Sequence, residues 1–195
     1  MAAIDIGPGA VDLTSSIGDG DTNIDKANPA NLSGKITSVE IWAKSNLTGC
    51  RVGIFYTTNG NTLKCRSAAT LGSIFSGSKQ TLTGLNLDVV AGDYIGLYWA
   101  SGDMEYGFGG GADVWFTGGD HCVVDDEAAY SVGAGDIISI YGIGITVVAP
   151  TVTTPAASSV EATTATGNGN VTDNGGEDPD DRRIDWGTSS ATILV

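Results

Sequence analysis

The chain has 195 residues, a formal net charge of −14, 29 glycines and only 5 prolines, and 41% of it is hydrophobic. Such a negative field repels phosphate backbones and anionic bilayers, so neither nucleic acid nor a membrane surface is an expected partner. High Gly and Thr content, interspersed β-branched residues and the lack of a long periodic Leu/Ala/Glu/Lys run point to an all-β chain: one full domain plus a shorter segment.

The opening Met-Ala-Ala-Ile-Asp-Ile-Gly-Pro-Gly has neither the basic region nor the apolar region of a secretory signal. No stretch approaches the roughly 20 apolar residues of a membrane-spanning helix. The product is therefore expected to stay in the cytosol where it is made, to have had a signal removed, or to be exported another way. Residues 1–34 are polar and turn-rich, with Ile4, Ile6, Val11 and Leu13 as candidates for short strands. Within them, Asp19-Gly-Asp-Thr-Asn-Ile-Asp25 puts oxygen ligands at alternate positions, a pattern that calcium favours. Asp19, Asp21, Asn23 and Asp25 are the candidate ligands. Ile24 occupies the place of the EF-hand glycine and Ala30 that of its bidentate glutamate, so an Asx-rich turn is the competing reading.

From Lys35 the alternation sharpens into a strand through Ala43, followed by a second from Cys50 to Tyr56. Asn59-Gly60 is a hairpin signal leading into Leu63-Lys-Cys-Arg-Ser. If those two residues form the turn, Cys65 faces Ile54 and Cys50 lies about 13 Å further along at strand rise. That exceeds the roughly 7 Å a disulfide spans. Cys50, Cys65 and Cys122 are therefore expected to be reduced and buried, and no Cys-x-x-Cys spacing suggests zinc. Leu82, Leu85, Leu87 and Val89 alternate with one slip at Gly84, which predicts a bulge. In the strand after Ala91-Gly92-Asp93, Tyr94, Gly96 and Tyr98 fall on one face and Ile95, Leu97 and Trp99 on the other. Gly133-Ala-Gly-Asp136 repeats that turn, and Ile137 to Val148 reads as a long final strand. Strands at this spacing indicate a sandwich, here jelly-roll-like and antiparallel, over residues 1–148.

Two further groups carry candidate chemistry. Trp99, Tyr106 and Trp115, near Asp103 and Asp113, could stack on sugar rings and bond their hydroxyls; core packing is the plainer reading. His121 has acidic neighbours, but no Gly-x-Ser-x-Gly elbow accompanies it, and an enzyme is not expected. The sequons at Asn31, Asn46 and Asn170 fit chance in an Asn/Thr-rich chain.

Pro150 and Pro155 bracket a Thr/Val run that marks a new segment, 149–195. Thr164-Ala-Thr-Gly-Asn-Gly-Asn-Val-Thr-Asp-Asn-Gly-Gly176 and Arg183-Ile-Asp-Trp-Gly-Thr-Ser189 resemble the opening strands of the fibronectin type III-like repeats of bacterial surface and phage virion proteins. The remaining strands of the repeat are missing, so the resemblance implies a partial immunoglobulin/fibronectin-like segment completed by a partner subunit or by a longer parent protein. Residues 34–145 are similar to β-sandwich modules of phage tail-fibre and head-decoration proteins, through Gly34-Lys-Ile-Thr-Ser-Val-Glu-Ile-Trp-Ala43, Ala91-Gly-Asp-Tyr-Ile-Gly-Leu-Tyr98 and Ile138-Ser-Ile-Tyr-Gly142. Together they imply a non-enzymatic virion protein, a capsid decoration or a fibre, located at the virion surface or, if the source is cellular, outside the cell. It would assemble through sheet edges and through Val152, Val171, Ile184, Trp186 and Ile193, preferably as a homotrimer and with other virion or surface proteins. A carbohydrate-binding or adhesin module, aided by calcium, is the alternative.

Overall fold

Backbone hydrogen bonding between antiparallel strands accounts for the architecture of the computed structural model, which describes residues 2–109 and 113–176. Among these residues there is no helix, so none is long and apolar enough to cross a membrane. The chain divides into two units, Ala2–Thr146 and the residues from Val147 onward.

The first unit is an all-β antiparallel sandwich. One sheet has four strands in the order β1 (Ala3–Ile6), β14 (Ile140–Ile145), β4 (Gly34–Ile41) and β7 (Gln80–Val89). The other has seven: β11 (Glu127–Ala129), β6 (Thr62–Ile74), β5 (Leu47–Asn59), β8 (Tyr94–Tyr98), β3 (Asp21–Asp25), β10 (Val114–Gly118) and β12 (Ser131–Gly133). A small third sheet joins β13 (Ile137–Ile138), β9 (Met104–Gly107) and β2 (Ser15–Ile17).

The main core draws Ile4, Ile36, Val39 and Ile41 from the four-stranded sheet and Val52, Ile54, Ile95, Leu97 and Trp99 from the other. The two faces expected of β8 are both used. Ile95, Leu97 and Trp99 enter this core, while Tyr94 and Tyr98 pack on a second cluster of Ile24, Phe55, Leu63, Cys65, Trp115, Cys122 and Tyr130. The central strands of the seven-stranded sheet thus carry buried side chains on both faces, with Cys122 and Tyr130 packed on the outer one.

That outer cluster depends on two paired glycines. Gly53 of β5 lies opposite Gly96 of β8. The Phe55 ring folds back over them, 2.6 Å from where a Gly53 Cβ would sit and 3.0 Å from that of Gly96. A methyl group at either position collides with the ring, so the absence of side chains there makes room for the aromatic.

Three local expectations need correction. The hairpin turn is Gly60-Asn61, because Asn59 pairs with Thr62. Gly60 has φ +59°, as the first central residue of a type II′ turn requires. Asn61 is anchored from outside: its Oδ1 accepts Trp115 Nε1–H at 2.9 Å and its carbonyl accepts the Tyr130 N–H. With a further register shift at Ile54/Phe55, Cys65 faces Phe55 rather than Ile54, and Cys50 faces Gly72. The final strand is two strands, because Ser139 leaves the ladder. Its Oγ accepts from Val11 N at 2.7 Å and donates to Val11 O at 2.6 Å. Val11 and Leu13 lie outside strands, held by those bonds and by Glu105. The bulge expected at Gly84 is present, with φ +78° and a register shift against β4 between Ile36 and Ser38.

In the second unit, β15 (Thr151–Thr153) pairs antiparallel with β16 (Asn170–Asp173), placing Val152 opposite Val171. A bridge between Ser158 and Thr166, a turn bond from Glu161 N–H to Thr164 O and a bond from Val148 N–H to Gly175 O add to its backbone pairing.

Candidate functional site

Each candidate ligand of the Asp19–Asp25 run sits in or beside extended backbone. Asp21–Asp25 is β3, hydrogen-bonded to β8 on one side and β10 on the other. Alternate residues of a strand stand roughly 6.6 Å apart, and an extended strand cannot wrap a cation as a loop does. Asn23 is fully buried, and both Asp25 oxygens accept hydrogen bonds from Asn28, from its backbone at 2.7 Å and its side chain at 3.3 Å. Burial raises the Asp25 pKa, against the lowering effect of those bonds and of one from the Ala27 backbone. Among the described residues no three His, Cys, Asp or Glu side chains converge as metal ligands would.

The aromatic platform is not at the surface. Trp99 and Tyr106 are 0% and 1% exposed, and Trp115 is 3% exposed. Each polar tip is satisfied internally: Trp99 Nε1 donates to Gly102 O, Tyr106 OH to Asp136 Oδ2 and Trp115 Nε1 to Asn61 Oδ1. Tyr94 packs edge-on against Trp115, and Lys26 Nζ lies 5.5 Å from the Trp115 ring centroid. With their faces covered, these rings cannot stack on a sugar, which corrects the reading of them as a glycan platform. Exposed apolar side chains lie elsewhere, at Phe75 and Phe108.

Both partner carboxylates are also engaged. Asp103 Oδ2 accepts from Ser45 Oγ. Asp113 pairs with Lys26 at 3.0 Å and accepts the Gly135 N–H at 2.9 Å. These contacts, the Gly135 bond first, pull the Asp113 pKa below its ordinary value. Asp113 also holds φ +110°, rare for a residue with a side chain. A depressed carboxyl pKa contributes stability above the unfolded value, and that contribution is lost as pH falls through the folded one. Asp113→Asn, which tolerates the same backbone, is expected to be less stable than the parent at neutral pH. The gap should begin to narrow as pH falls below about 4 and close only below the depressed folded pKa. Denaturation midpoints at both pH values check this; an equal gap at both would rule out the ionic contribution.

His121 holds its ring between Asp126 Oδ2, 2.8 Å from Nδ1, and Gly118 O, 3.1 Å from Nε2. Both nitrogens face protein acceptors, so neither is presented to a substrate. The three cysteines are free and buried, as expected. Burial pushes the Cys50 thiol up to about 11 and Cys65 up to about 12, and raises Cys122 well above its usual range. Since the thiolate is the reactive form, a disulfide reagent at pH 8 is expected to find essentially no reactive thiol in the native protein and all three after unfolding. One rapidly reacting thiol in the native state would contradict this burial.

Glu105, the third carboxylate beside those aromatics, and Asp93 are structural. Glu105, 2% exposed, accepts the Leu13 N–H and pairs with Lys44. Asp93 accepts two bonds from Arg66 and one from Val90 N–H. The twin Ala-Gly-Asp turns were the available signal. In both, the Asp N–H closes the turn onto the carbonyl three residues earlier (Val90 or Gly133), with Gly92 or Gly135 at positive φ.

What remains open is the β15–β16 pair. Val152 is 47% exposed and stands beside Val171. Of the assembly residues expected from sequence, these two are brought together; Ile184, Trp186 and Ile193 lie outside the described residues. No protein-family model matches the sequence, and no match is found among curated proteins.

Proposed function

We propose that this chain is a non-enzymatic structural protein of a virion, a capsid decoration or fibre component, which assembles through β-sheet edges and its C-terminal unit. The observation that carries the reading is the Val152–Val171 pair on a two-stranded sheet. Two strands alone are marginal in water, and an apolar pair in the open gains stability when a further strand or surface covers it. Main-chain pairing along the edge of β15 or β16 that is unpaired among the described residues, with burial of the two valines, is the chemistry of association. The first unit supports the same reading, because Trp99, Tyr106 and Trp115 and the buried carboxylates Asp25, Asp93 and Glu105 hold the sandwich together rather than face solvent. The carbohydrate-binding alternative loses support for that reason. A homotrimer is the preferred state, since a closed ring leaves no edge unpaired.

The test is solution mass by light scattering on the full chain and on a Val152→Asp/Val171→Asp variant. The parent is expected to be trimeric or larger and the variant to be monomeric with unchanged unfolding of the first unit. A monomeric parent over the whole concentration range would sink self-assembly through this face.

A further inference from the structure

We infer that Asn59 is a self-modification site, at which the chain converts its own amide to aspartate and isoaspartate without an enzyme. The sequence contains three Asn–Gly pairs, at Asn59, Asn168 and Asn174, and sequence alone does not rank them. Asn–Gly is chemically labile because glycine offers the least hindered backbone nitrogen. That nitrogen attacks the Asn side-chain carbonyl carbon. A N–C bond forms, the amide proton passes to water, and ammonia leaves with the broken C–N bond. Water then opens the resulting succinimide at either carbonyl, giving aspartate or isoaspartate; no oxidant or cofactor enters.

The structure sets the three sites apart. At Asn174, the Gly175 N–H that must attack donates instead to Asp173 Oδ1 at 2.9 Å, and Gly175 is buried. The Asn174 Oδ1 also accepts from Gly176 N–H. At Asn168, the side-chain amide that must leave is tied to Ala156 O at 2.8 Å and Ser158 Oγ at 3.2 Å. At Asn59, neither group is held. Asn59 and Gly60 are exposed at the hairpin tip. Nothing lies within 4 Å of the position a Gly60 Cβ would take. Among the described residues none bonds the Asn59 amide or the Gly60 N–H.

The site is placed where conversion has consequences. It adds a negative charge beside Thr58, whose Oγ1 donates to Glu127 at 2.6 Å. The isoaspartate form also inserts a backbone methylene two residues before Asn61, the anchor of Trp115 and Tyr130. The hairpin tip would then pull on the second hydrophobic cluster.

The experiment ages the full native chain at mildly alkaline pH and 37 °C. Isoaspartate is then labelled with an isoaspartyl methyltransferase, and the fragments carrying residues 59, 168 and 174 are mapped by mass. A denatured sample provides the rates without structure. Residue 59 is expected to convert several-fold faster than the other two in the native protein, with the three comparable in denaturant. Asn59→Gln, a surface change, should remove the native signal. Earlier conversion at 168 or 174, or an unmodified native chain after the denatured control is fully converted, would overturn the inference.

Discussion

Asp93→Ala is expected to lower the folding free energy by about 1.5–3 kcal/mol, the range for losing hydrogen bonds to a charged group, since the Arg66 side chain left behind is 29% exposed and can be hydrated. Asp93 is 3% exposed and lies in the turn before β8. Its carboxylate receives Arg66 Nε at 2.6 Å, Arg66 Nη2 at 3.1 Å and Val90 N–H at 2.8 Å. The Arg66 guanidinium, in turn, lies 4.6 Å from the Tyr56 ring centroid, and Asp93 raises its pKa. The Asp93 side chain therefore ties β6 to the β7–β8 turn, while the Asp93 backbone carbonyl, which alanine keeps, accepts the Ala30 N–H of the segment before β4. Alanine leaves a guanidinium without its fork partner and a turn amide without its acceptor. A double-mutant cycle with Arg66→Ala, read by urea unfolding, separates the pair from its surroundings. The double variant should be less destabilised than the sum of the singles. A single-variant loss below about 1 kcal/mol would mean that the pair behaves like an exposed surface bridge.

Trp99→Ala carries the second large effect, about 3–5 kcal/mol, from lost burial plus the cavity left behind. Trp99 is fully buried in the main core, with its Nε1–H bonded to Gly102 O at 3.1 Å. Trp99→Phe fills most of the space and should lose less. The same pair of variants distinguishes a core role from a ligand platform. Core residues change the unfolding midpoint with no dependence on added sugar. A Trp99→Ala protein with parental stability would place this ring outside the core and revive the carbohydrate reading.

Much of the placement of strands along the chain was legible because alternation is a local property. β8 shows it best: Ile95, Leu97 and Trp99 must share a face in any extended backbone, and they do so in the core. The bulge at Gly84 and the twin Ala-Gly-Asp turns were also readable, since positive φ and turn closure involve neighbours only. Alternation did not say that both faces of this strand are buried. Tyr94 and Tyr98 look like an outer face, yet both are half-buried against the cluster that holds Trp115 and Cys122.

The functional reading diverged for the same reason. Aromatics beside carboxylates have the composition of a sugar site, but composition carries no depth, and Trp99, Tyr106 and Trp115 are inside. Alternate Asp residues look like calcium ligands, but the choice between loop and strand was made by hydrogen bonds from β8 and β10 to β3. The hairpin turn moved by one residue because Asn61 bonds to Trp115 and Tyr130, residues more than 50 positions away.

Sequence by itself determined the all-β class, the faces of the regular strands and the reduced state of the cysteines, since each follows from backbone period, residue type or reach. Only the tertiary structure decided which carboxylates became structural, which rings lost their surface and which Asn–Gly pair stayed unbound. Those outcomes depend on contacts between residues distant in the chain, where burial and hydrogen-bond partners are set.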